Sequence, residues 1–417
     1  MHKSIKGYPI LNKNPYICSI IYLEMKIAIL SSGILPVPAV RGGAVETHMD
    51  FCLKYNDEHH LHDITVFSVW RKEVMKHPAL QSKVNHYRYI DIECLHAKVY
   101  KFINYRTLRN AYFHHSVEYF FHQAWKQIQK EHYDIILLDN RPGYATYIDV
   151  PQDTHLFLYL HNDLLNNQVR EYQDIYDKAS RIFTVSNYIS SRVRTINPDD
   201  TKCITIHNGI DIKAFSPEAS PSVKRSQIGL TEDDFVLVFT GRVIEEKGVS
   251  ELLDAMILLN DYPQIKLLII GSTFYGNKAN DNDFITKLQQ KAVPIKDKVF
   301  FTGYIPYDQM PSYLKLADIA VIPSMWDEPF GNTVVEAMAA GIPLITTRSG
   351  GIPEICEGVS VIVERNNIVN NLVSAILYLY NNPEKRLQIS KEALTRSKIF
   401  DEETYTKNYF AAIAKPI

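Results

Sequence analysis

The chain has 417 residues, which at roughly 150 residues per domain predicts two or three domains. Its 45 Lys and Arg balance 47 Asp and Glu, giving a net charge of −2, and this excludes the strongly basic surface of a typical nucleic-acid-binding protein. Hydrophobic residues make up 46% of the chain and aromatic residues 11%, which excludes large-scale disorder.

The first 24 residues contain one apolar run, Tyr16 to Leu23, which is far shorter than a membrane-spanning helix. Pro9 and Pro15 precede it, so it does not read as a signal peptide either. The segment "MKIAIL", starting at Met25, is typical of an opening β-strand. We therefore expect residues 1–24 to be an N-terminal extension, Met25 to be the working start, and the protein to be cytoplasmic.

Short apolar runs alternate with longer segments of helical periodicity, which is the pattern of βαβ units around parallel sheets. The predicted strands are Ile27 to Leu30, Ile64 to Val69, Ile135 to Leu138, Leu156 to Leu160, Ile182 to Val185, Ile204 to Ile206, Phe235 to Phe239, Ile265 to Ile270, Val299 to Phe301, Ile319 to Ile322, Leu344 to Thr346 and Val359 to Val363. The fold class expected is α/β, with two doubly wound Rossmann-like domains facing a central cleft.

The two sets of six strands also predict the domain limits. The first domain spans 25–212, and a connector rich in Ser, Pro and charge follows at 213–232. The second domain spans 233–396. Residues 397–417 form an amphipathic helix that we expect to cross back to the first domain.

In open parallel sheets ligands bind beyond the carboxyl ends of the strands, so we expect the binding residues in the loops that follow the predicted strands. After the first strand, Gly42 and Gly43 directly precede a helical segment, where free backbone amides and the helix dipole favour a phosphate. A tight loop entering a helix explains the same residues. The fingerprints G-x-G-x-x-G and G-x-x-x-x-G-K-[ST] are missing here, so neither a Rossmann dehydrogenase nor a P-loop NTPase is supported.

Arg242 and Lys247 follow the strand at 235–239 and each is next to a glycine. At a strand end they can converge on a diphosphate, the Arg as a fork of donors and the Lys as a point charge. The competing interpretation is two solvated surface cations, the usual fate of such residues.

The segment 327–354, "DEPFGNTVVEAMAAGIPLITTRSGGIPE", places Glu328 in a loop and Glu336 in the first turn of a helix. Carboxylates so placed can accept hydrogen bonds from sugar hydroxyls, while the amides at the helix start bind phosphate. The structural alternative is a capping box formed by Thr333 and Glu336.

Together with "GRVIEEKG" and "FTGYIP", this segment resembles the glycosyltransferase group 1 family, retaining enzymes of the GT-B fold whose hallmark is Glu-x7-Glu. The motifs "RGGAVE" and "HNGID" follow the family's order, and the opening is similar to that of bacterial capsule, exopolysaccharide and spore-coat transferases. The resemblance implies that a sugar is moved from a nucleotide sugar to an acceptor hydroxyl with retention. The preferred context is cell-envelope polysaccharide or glycoconjugate synthesis.

The resemblance also implies roles for individual residues. The expected catalytic set is His161, Arg242, Lys247 and Glu328, with His161 close to the transferred sugar and Glu328 facing it. The expected donor-binding set is Gly43, Gly241, Gly303, Tyr304, Ile305, Phe330, Gly331, Asn332, Thr333 and Glu336, the last on the ribose. For His161 a purely structural role is the alternative.

Neither a cofactor nor a metal ion is expected, since Arg, Lys and helix amides can stabilise the leaving diphosphate. The five cysteines are scattered without C-x-x-C spacing, and the one Asp-x-Asp, at 281–283, reads as a solvated loop. Two alternatives remain: a nucleotide-sugar epimerase of the same fold, and a non-catalytic GT-B subunit that activates a partner.

The expected partners are a UDP- or GDP-sugar and a saccharide or lipid-linked saccharide acceptor. Residues 98–115 carry Lys98, Lys101, Arg106 and Arg109 among five aromatics and no acid. Such a segment suits an anionic membrane surface, which would place the protein peripherally on the inner face of the plasma membrane. An ordinary solvated helix face is the competing interpretation.

Overall fold

The computed structural model describes residues 24–107, 117–218, 222–273 and 283–416. The predicted extension, apart from Glu24, and the part of the basic segment at 108–115 lie outside the described residues, as do the first two residues of the Asp-x-Asp sequence.

Two all-parallel sheets organise the chain, which confirms the α/β fold class predicted from the alternating runs. The first has seven strands in the order β3-β2-β1-β4-β5-β6-β7 and the second has six in the order β10-β9-β8-β11-β12-β13. The first sheet contains β1 (Lys26–Leu30), β2 (Asp63–Val69), β3 (Asn85–Ile90), β4 (Ile135–Asp139), β5 (His155–Leu160), β6 (Arg181–Thr184) and β7 (Cys203–Thr205). The second contains β8 (Phe235–Thr240), β9 (Ile265–Ile270), β10 (Val299–Gly303), β11 (Ile319–Ile322), β12 (Leu344–Thr347) and β13 (Val361–Val363).

Helices lie between or after these strands along the chain. In the first half they are α1 (Ala44–His59), α2 (Leu95–Thr107), α3 (Glu118–Ile128), α4 (Tyr172–Lys178), α5 (Asn187–Val193) and α6 (Ile212–Phe215). In the second half they are α7 (Val249–Leu258), α8 (Asp283–Lys291), α9 (Met310–Leu314), α10 (Asn332–Ala339), α11 (Ile352–Cys356), α12 (Ile368–Asn381), α13 (Pro383–Ser397) and α14 (Glu402–Ala414). In the described part of the chain, no helix is both long and apolar enough to cross a membrane.

Strand β8 shows why the apolar runs are continuous rather than alternating. Val236 and Val238 pack into one hydrophobic cluster, whereas Leu237 and Phe239 pack into another, and all four are fully buried. Because helices cover both faces of the sheet, residues of both parities must be apolar.

One strand was not predicted. Strand β3, "NHYRYI", pairs only with β2 at the edge of the first sheet, and its middle residues are exposed or half-buried. An edge strand of this kind needs no apolar run, so the first half has seven strands where the sequence predicted six.

The last helix lies beside the first sheet. Helix α14 packs against α1, and the Arg181 guanidinium at the start of β6 donates hydrogen bonds to the carbonyls of Ala412 at 2.7 Å, Lys415 at 3.1 Å and Pro416 at 2.9 Å. Ile210 and Asp401 form a parallel bridge where the chain returns. The exact domain limits stay a prediction.

Candidate active site

Both sheets reverse their strand order at one point, between β1 and β4 in the first and between β8 and β11 in the second. At such a switch point the loops leave in opposite directions and open a crevice outside the carboxyl ends of the strands. Gly43 follows β1, Arg242 and Lys247 follow β8, and Glu328 follows β11. The residues expected from sequence therefore flank the two places where this topology puts ligands.

Lys247 and Glu328 form the closest charged pair of the site. The Lys247 ammonium donates to Oε1 of Glu328 at 2.5 Å, and the Ser324 hydroxyl donates to the same oxygen. Both charged side chains are largely buried, with 17% and 7% of their surface exposed. The Lys247 ammonium also lies 5.7 Å from the centre of the Trp326 ring.

Close backbone contact keeps this pair in place. Gly248, at φ 72°, lies so near Pro323 that a Cβ there would be 2.0 Å from the Pro323 carbonyl oxygen. Gly350, at φ 52°, faces Glu328, where a Cβ would be 2.2 Å from the carbonyl oxygen. Only glycine fits both the left-handed backbone and the space, so the loop bearing Lys247 can meet the loop bearing Glu328.

Arg242 presents a different environment. Its side chain is exposed, and it forms no ion pair with any other residue the structure describes. Gly241 precedes it at the end of β8, and its amide bonds the Ile270 carbonyl at 3.1 Å. The guanidinium is therefore available to a ligand beyond the strand end.

Glu336 does not cap its helix. Helix α10 begins at Asn332 with Gly331 as N-cap and no side-chain capping bond, so Glu336 lies in the second turn, not in the first turn as the sequence predicted. Its carboxylate is 5% exposed and accepts a hydrogen bond from the Tyr307 hydroxyl at 3.2 Å. Burial raises the pKa of Glu336 to about 7, although the Tyr307 bond acts in the opposite direction. A carboxyl so poorly solvated is poised to accept hydrogen bonds from a ligand.

Most of the remaining predicted donor residues lie on two segments, one at the end of β10 and one at the start of α10. Gly303 closes β10, Tyr304 and Ile305 follow it with partly exposed side chains, and Tyr307 brings the same segment to Glu336. Phe330 is buried and packs against the rings of His207 and Phe400, whose centres are 5.8 and 5.7 Å away. Asn332 and Thr333 form the first turn of α10, half-buried, with their backbone at the helix start.

On the first sheet, Gly43 caps the start of α1, and the Glu46 side chain of that helix folds back beneath it. The Ser32 hydroxyl donates to the Glu46 carboxyl at 2.7 Å, and burial raises the pKa of that carboxyl above its usual range. His161 lies just beyond β5 and is 8% exposed, with Nε2 2.9 Å from the Asp139 carboxylate.

Four polar contacts join the two halves beside the site. Glu354 accepts hydrogen bonds from the backbone amides of Asn187 and Tyr188 at 2.8 and 2.6 Å, and its carboxylate lies 3.0 Å from Nε2 of His207. The amide of Asn208 donates to the Asn332 side chain at 3.1 Å. The "HNGID" segment therefore connects the first half directly to the start of α10.

Sequence reasoning missed Ser324, Trp326, Tyr307 and Asp139. Each contacts an expected residue, but the partners are separated in the sequence or carry no motif of their own. Trp326 was the most accessible signal, because it lies two positions before Glu328 and tryptophan is scarce in this chain, at three residues. Among the described residues, no group of three or more His, Cys, Asp or Glu side chains is arranged to hold a metal ion.

Comparison with known proteins shows what the chain is similar to. The profile of the family "Glycosyl transferases group 1" matches residues 222–396. The chain is 28% identical over 385 residues to "Putative glycosyltransferase YtcC" of Bacillus subtilis (strain 168), covering 88% of this chain and 86% of that protein. It is 27% identical over 345 residues to "Spore coat protein SA" of the same organism, covering 80% and 83%.

Among solved structures, Anabaena Alr3699/HepE in complex with UDP and glucose superposes with a TM-score of 0.70 at 20% identity, covering 94% of this chain and all of that one. That likeness shows a shared fold. The family match over residues 222–396, the relatives along most of the chain and the shared fold together support an enzyme of the GT-B fold that transfers a sugar from a nucleotide-sugar donor.

Proposed function

We propose that this glycosyltransferase uses a uridine diphosphate sugar, and that its diphosphate lies between Arg242, Lys247 and the start of α10. The observation that carries the proposal is the pairing of Lys247 with Glu328 at the switch point of the second sheet, beside an exposed Arg242. The UDP and glucose bound to HepE support uridine as the base.

The chemistry follows from the charge that develops when the sugar leaves its diphosphate. Arg242 provides a fork of donors, Lys247 a compact cation and the first amides of α10 further donors, all held in place before the reaction starts. Glu328 keeps the Lys247 ammonium at the strand end and faces the sugar, while Glu336 accepts from the ribose. With this set of donors the residues themselves can neutralise the leaving group, so we propose transfer that needs no metal ion.

Lys247→Ala tests the leaving-group role. Removing one preorganised charge-stabilising donor should lower kcat by about 10²- to 10³-fold. Lys247→Arg, which keeps the charge but not the compact geometry, serves as the matched control and should lose less. Near wild-type turnover of the alanine variant would refute the assignment.

The base and the reaction are tested together by a donor screen. UDP-, GDP- and ADP-sugars are compared by thermal shift, where a ligand at 100 times its Kd stabilises the protein by about 2.7 kcal/mol. Product analysis with donor alone then separates transfer from epimerisation, since an epimerase converts the sugar without an acceptor. Stabilisation by GDP-sugars alone would overturn the uridine assignment. Neither the epimerase nor the non-catalytic subunit is favoured, because YtcC is named a glycosyltransferase.

The acceptor proposed is a lipid-linked saccharide at an anionic membrane, in the context of cell-envelope polysaccharide synthesis. Helix α2 supports this: Leu95 and Val99 are 74% and 52% exposed on one face, beside the exposed Lys98. No Asp or Glu occurs anywhere in α2, so its charge is complementary to anionic lipid. Each cation near such a surface contributes about 1 kcal/mol.

Co-sedimentation with vesicles tests this surface. The full chain should pellet with vesicles of phosphatidylcholine and phosphatidylglycerol, but not with phosphatidylcholine alone. Val99→Glu should reduce binding several-fold, whereas Leu387→Glu, at an equally exposed apolar position on α13, should not. Equal pelleting of both variants and the wild type would show that α2 is an ordinary solvated helix.

A further inference from the structure

The inference concerns Asp139, the last residue of β4, a carboxylate that no motif singled out. Strands β4 and β5 are parallel neighbours with Asp139 opposite Tyr159, so the two strand ends bring Asp139 and His161 together. The Asp139 residue is 2% exposed, and its Oδ1 lies 2.9 Å from Nε2 of His161.

This contact determines which of the two ring nitrogens of His161 carries the proton. An ionised carboxylate can only accept a hydrogen bond, so Nε2 must carry the proton, and a neutral ring then has its lone pair on Nδ1. Among the described residues Nδ1 has no hydrogen-bond partner, and it is not one of the polar side-chain atoms sealed from solvent. The accepting nitrogen is therefore the one that a ligand can reach.

The ring is also held firmly. Asn140, in the left-handed conformation at φ 56°, accepts hydrogen bonds from the His161 backbone amide and the Asn162 side chain, both at 3.2 Å. The Tyr159 ring lies 4.2 Å from the imidazole, and the His48 ring stacks parallel to it at 6.3 Å. The orientation of His161 is thus fixed on several sides, and Asp139 alone among these neighbours bonds to Nε2.

We propose that Asp139 is a positioning residue which fixes His161 as a hydrogen-bond acceptor at Nδ1 for one hydroxyl of the transferred sugar, and so sets the preference for donors that carry that hydroxyl. The proposal rests on the proposed function, in which His161 lies beside the sugar. A site built around an acceptor rejects a sugar that lacks the hydroxyl, because the lone pair is left unpaired once the bound donor has displaced water from it.

The hydroxyl is identified first. Monodeoxy analogues of the accepted donor are assayed with the wild type and with His161→Ala. The position whose hydroxyl matters to the wild type but not to the alanine variant is the one that His161 contacts. If no donor is transferred at all, the proposed function fails; if transfer occurs but no position depends on His161, the proposal for Asp139 is overturned while the function stands.

Asp139→Asn then tests the positioning role. The amide can donate or accept, so the ring is no longer held in one form, although the shape of the site is kept. We expect kcat to fall about tenfold to a hundredfold with donor KM within about twofold, as for one or two lost hydrogen bonds. The preference for the hydroxyl over the deoxy donor should fall with it, and combining Asp139→Asn with His161→Ala should cost no more than His161→Ala alone.

A structural role predicts other results. Asp200→Asn is the matched control, because Asp200 is an equally buried carboxylate in the same half that bonds Tyr176 rather than His161. It should lower the melting temperature without changing the donor preference. An unchanged preference in Asp139→Asn, or additive losses in the double variant, would overturn the proposal.

A measurement on the wild type keeps the proposal testable even if Asp139→Asn does not fold. Protein labelled with ¹⁵N-histidine should show His161, assigned by its loss in His161→Gln, with the proton on Nε2 and an unprotonated Nδ1. A proton on Nδ1 would refute the proposal that this nitrogen accepts the hydrogen bond.

Discussion

Glu336→Gln is expected to stabilise the free enzyme at alkaline pH and to weaken donor binding at the same time. Burial raises the pKa of this carboxyl from 4.5 to about 7, so the folded state holds its proton over a range in which the unfolded state has lost it. Between pH 4.5 and 7 stability therefore falls as the pH rises. Above pH 7 the fold must bury a poorly solvated carboxylate.

The size of this effect follows from the difference between the pKa of Glu336 in the folded state, about 7, and in the unfolded state, 4.5, which is about 2.5 pH units. At about 1.4 kcal/mol for each unit, the charged carboxyl costs the fold on the order of 3 kcal/mol at pH 8 or above. Glutamine has the same shape, remains neutral, and still offers an oxygen to the Tyr307 hydroxyl. Much of the cost should then disappear, which corresponds to a rise in melting temperature of about 5–10 °C.

The assay is thermal unfolding of wild type and Glu336→Gln from pH 5 to pH 9, with donor KM measured at pH 8. The gain in stability should be largest at pH 8 to 9 and should shrink as the pH falls towards 4.5, because the folded wild type then keeps its proton and the unfolded chain regains it. Donor KM should rise about tenfold, because a neutral amide replaces a charge-assisted acceptor. A gain that is independent of pH, or a loss of stability at pH 8, would refute the burial argument.

Two further changes test how the site is assembled. Gly248→Ala should destabilise the protein by more than about 1 kcal/mol, the scale for strained backbone, and should lower activity, because its Cβ would clash with the Pro323 carbonyl. The control is Gly358→Ala, which has a similar positive φ but open space around it and should cost less. Equal melting temperatures of the two variants would contradict this argument. For Glu354, burial alone would raise the pKa, but the His207 contact and two backbone amides outweigh it and hold the pKa below 4.5. Glu354→Gln should therefore lower the melting temperature at neutral pH, with a deficit that shrinks as the pH falls below 4.5, and a constant deficit would count against the argument.

The fold was predictable because burial on both faces of a parallel sheet leaves a clear trace in the sequence. Each of the twelve predicted strands is present in the structure, within about two residues of its predicted ends. Strand β3 has no such apolar run, because an edge strand can pair with its neighbour β2 through its backbone while its side chains are polar or aromatic.

The sequence drew attention to the charged residues beyond the strand ends but not to the side chains that contact them. For Glu336 it predicted the first turn of a helix and allowed a capping role, and the start of α10 at Asn332 excludes both. The contact of Tyr307 with Glu336 is visible only in three dimensions, because the two residues are 29 positions apart; Ser324 lies only four residues before Glu328, but no motif marks a loop serine as its partner.

The hydrogen bonds from Arg181 to the carbonyls at the end of the chain have a consequence for synthesis and engineering. Residues that complete the packing of the first sheet emerge from the ribosome only after the whole second sheet has been made. A fragment ending near residue 212 would leave that guanidinium without its carbonyl partners. Chimeras that exchange the first half with a relative should therefore carry α14 from the same parent.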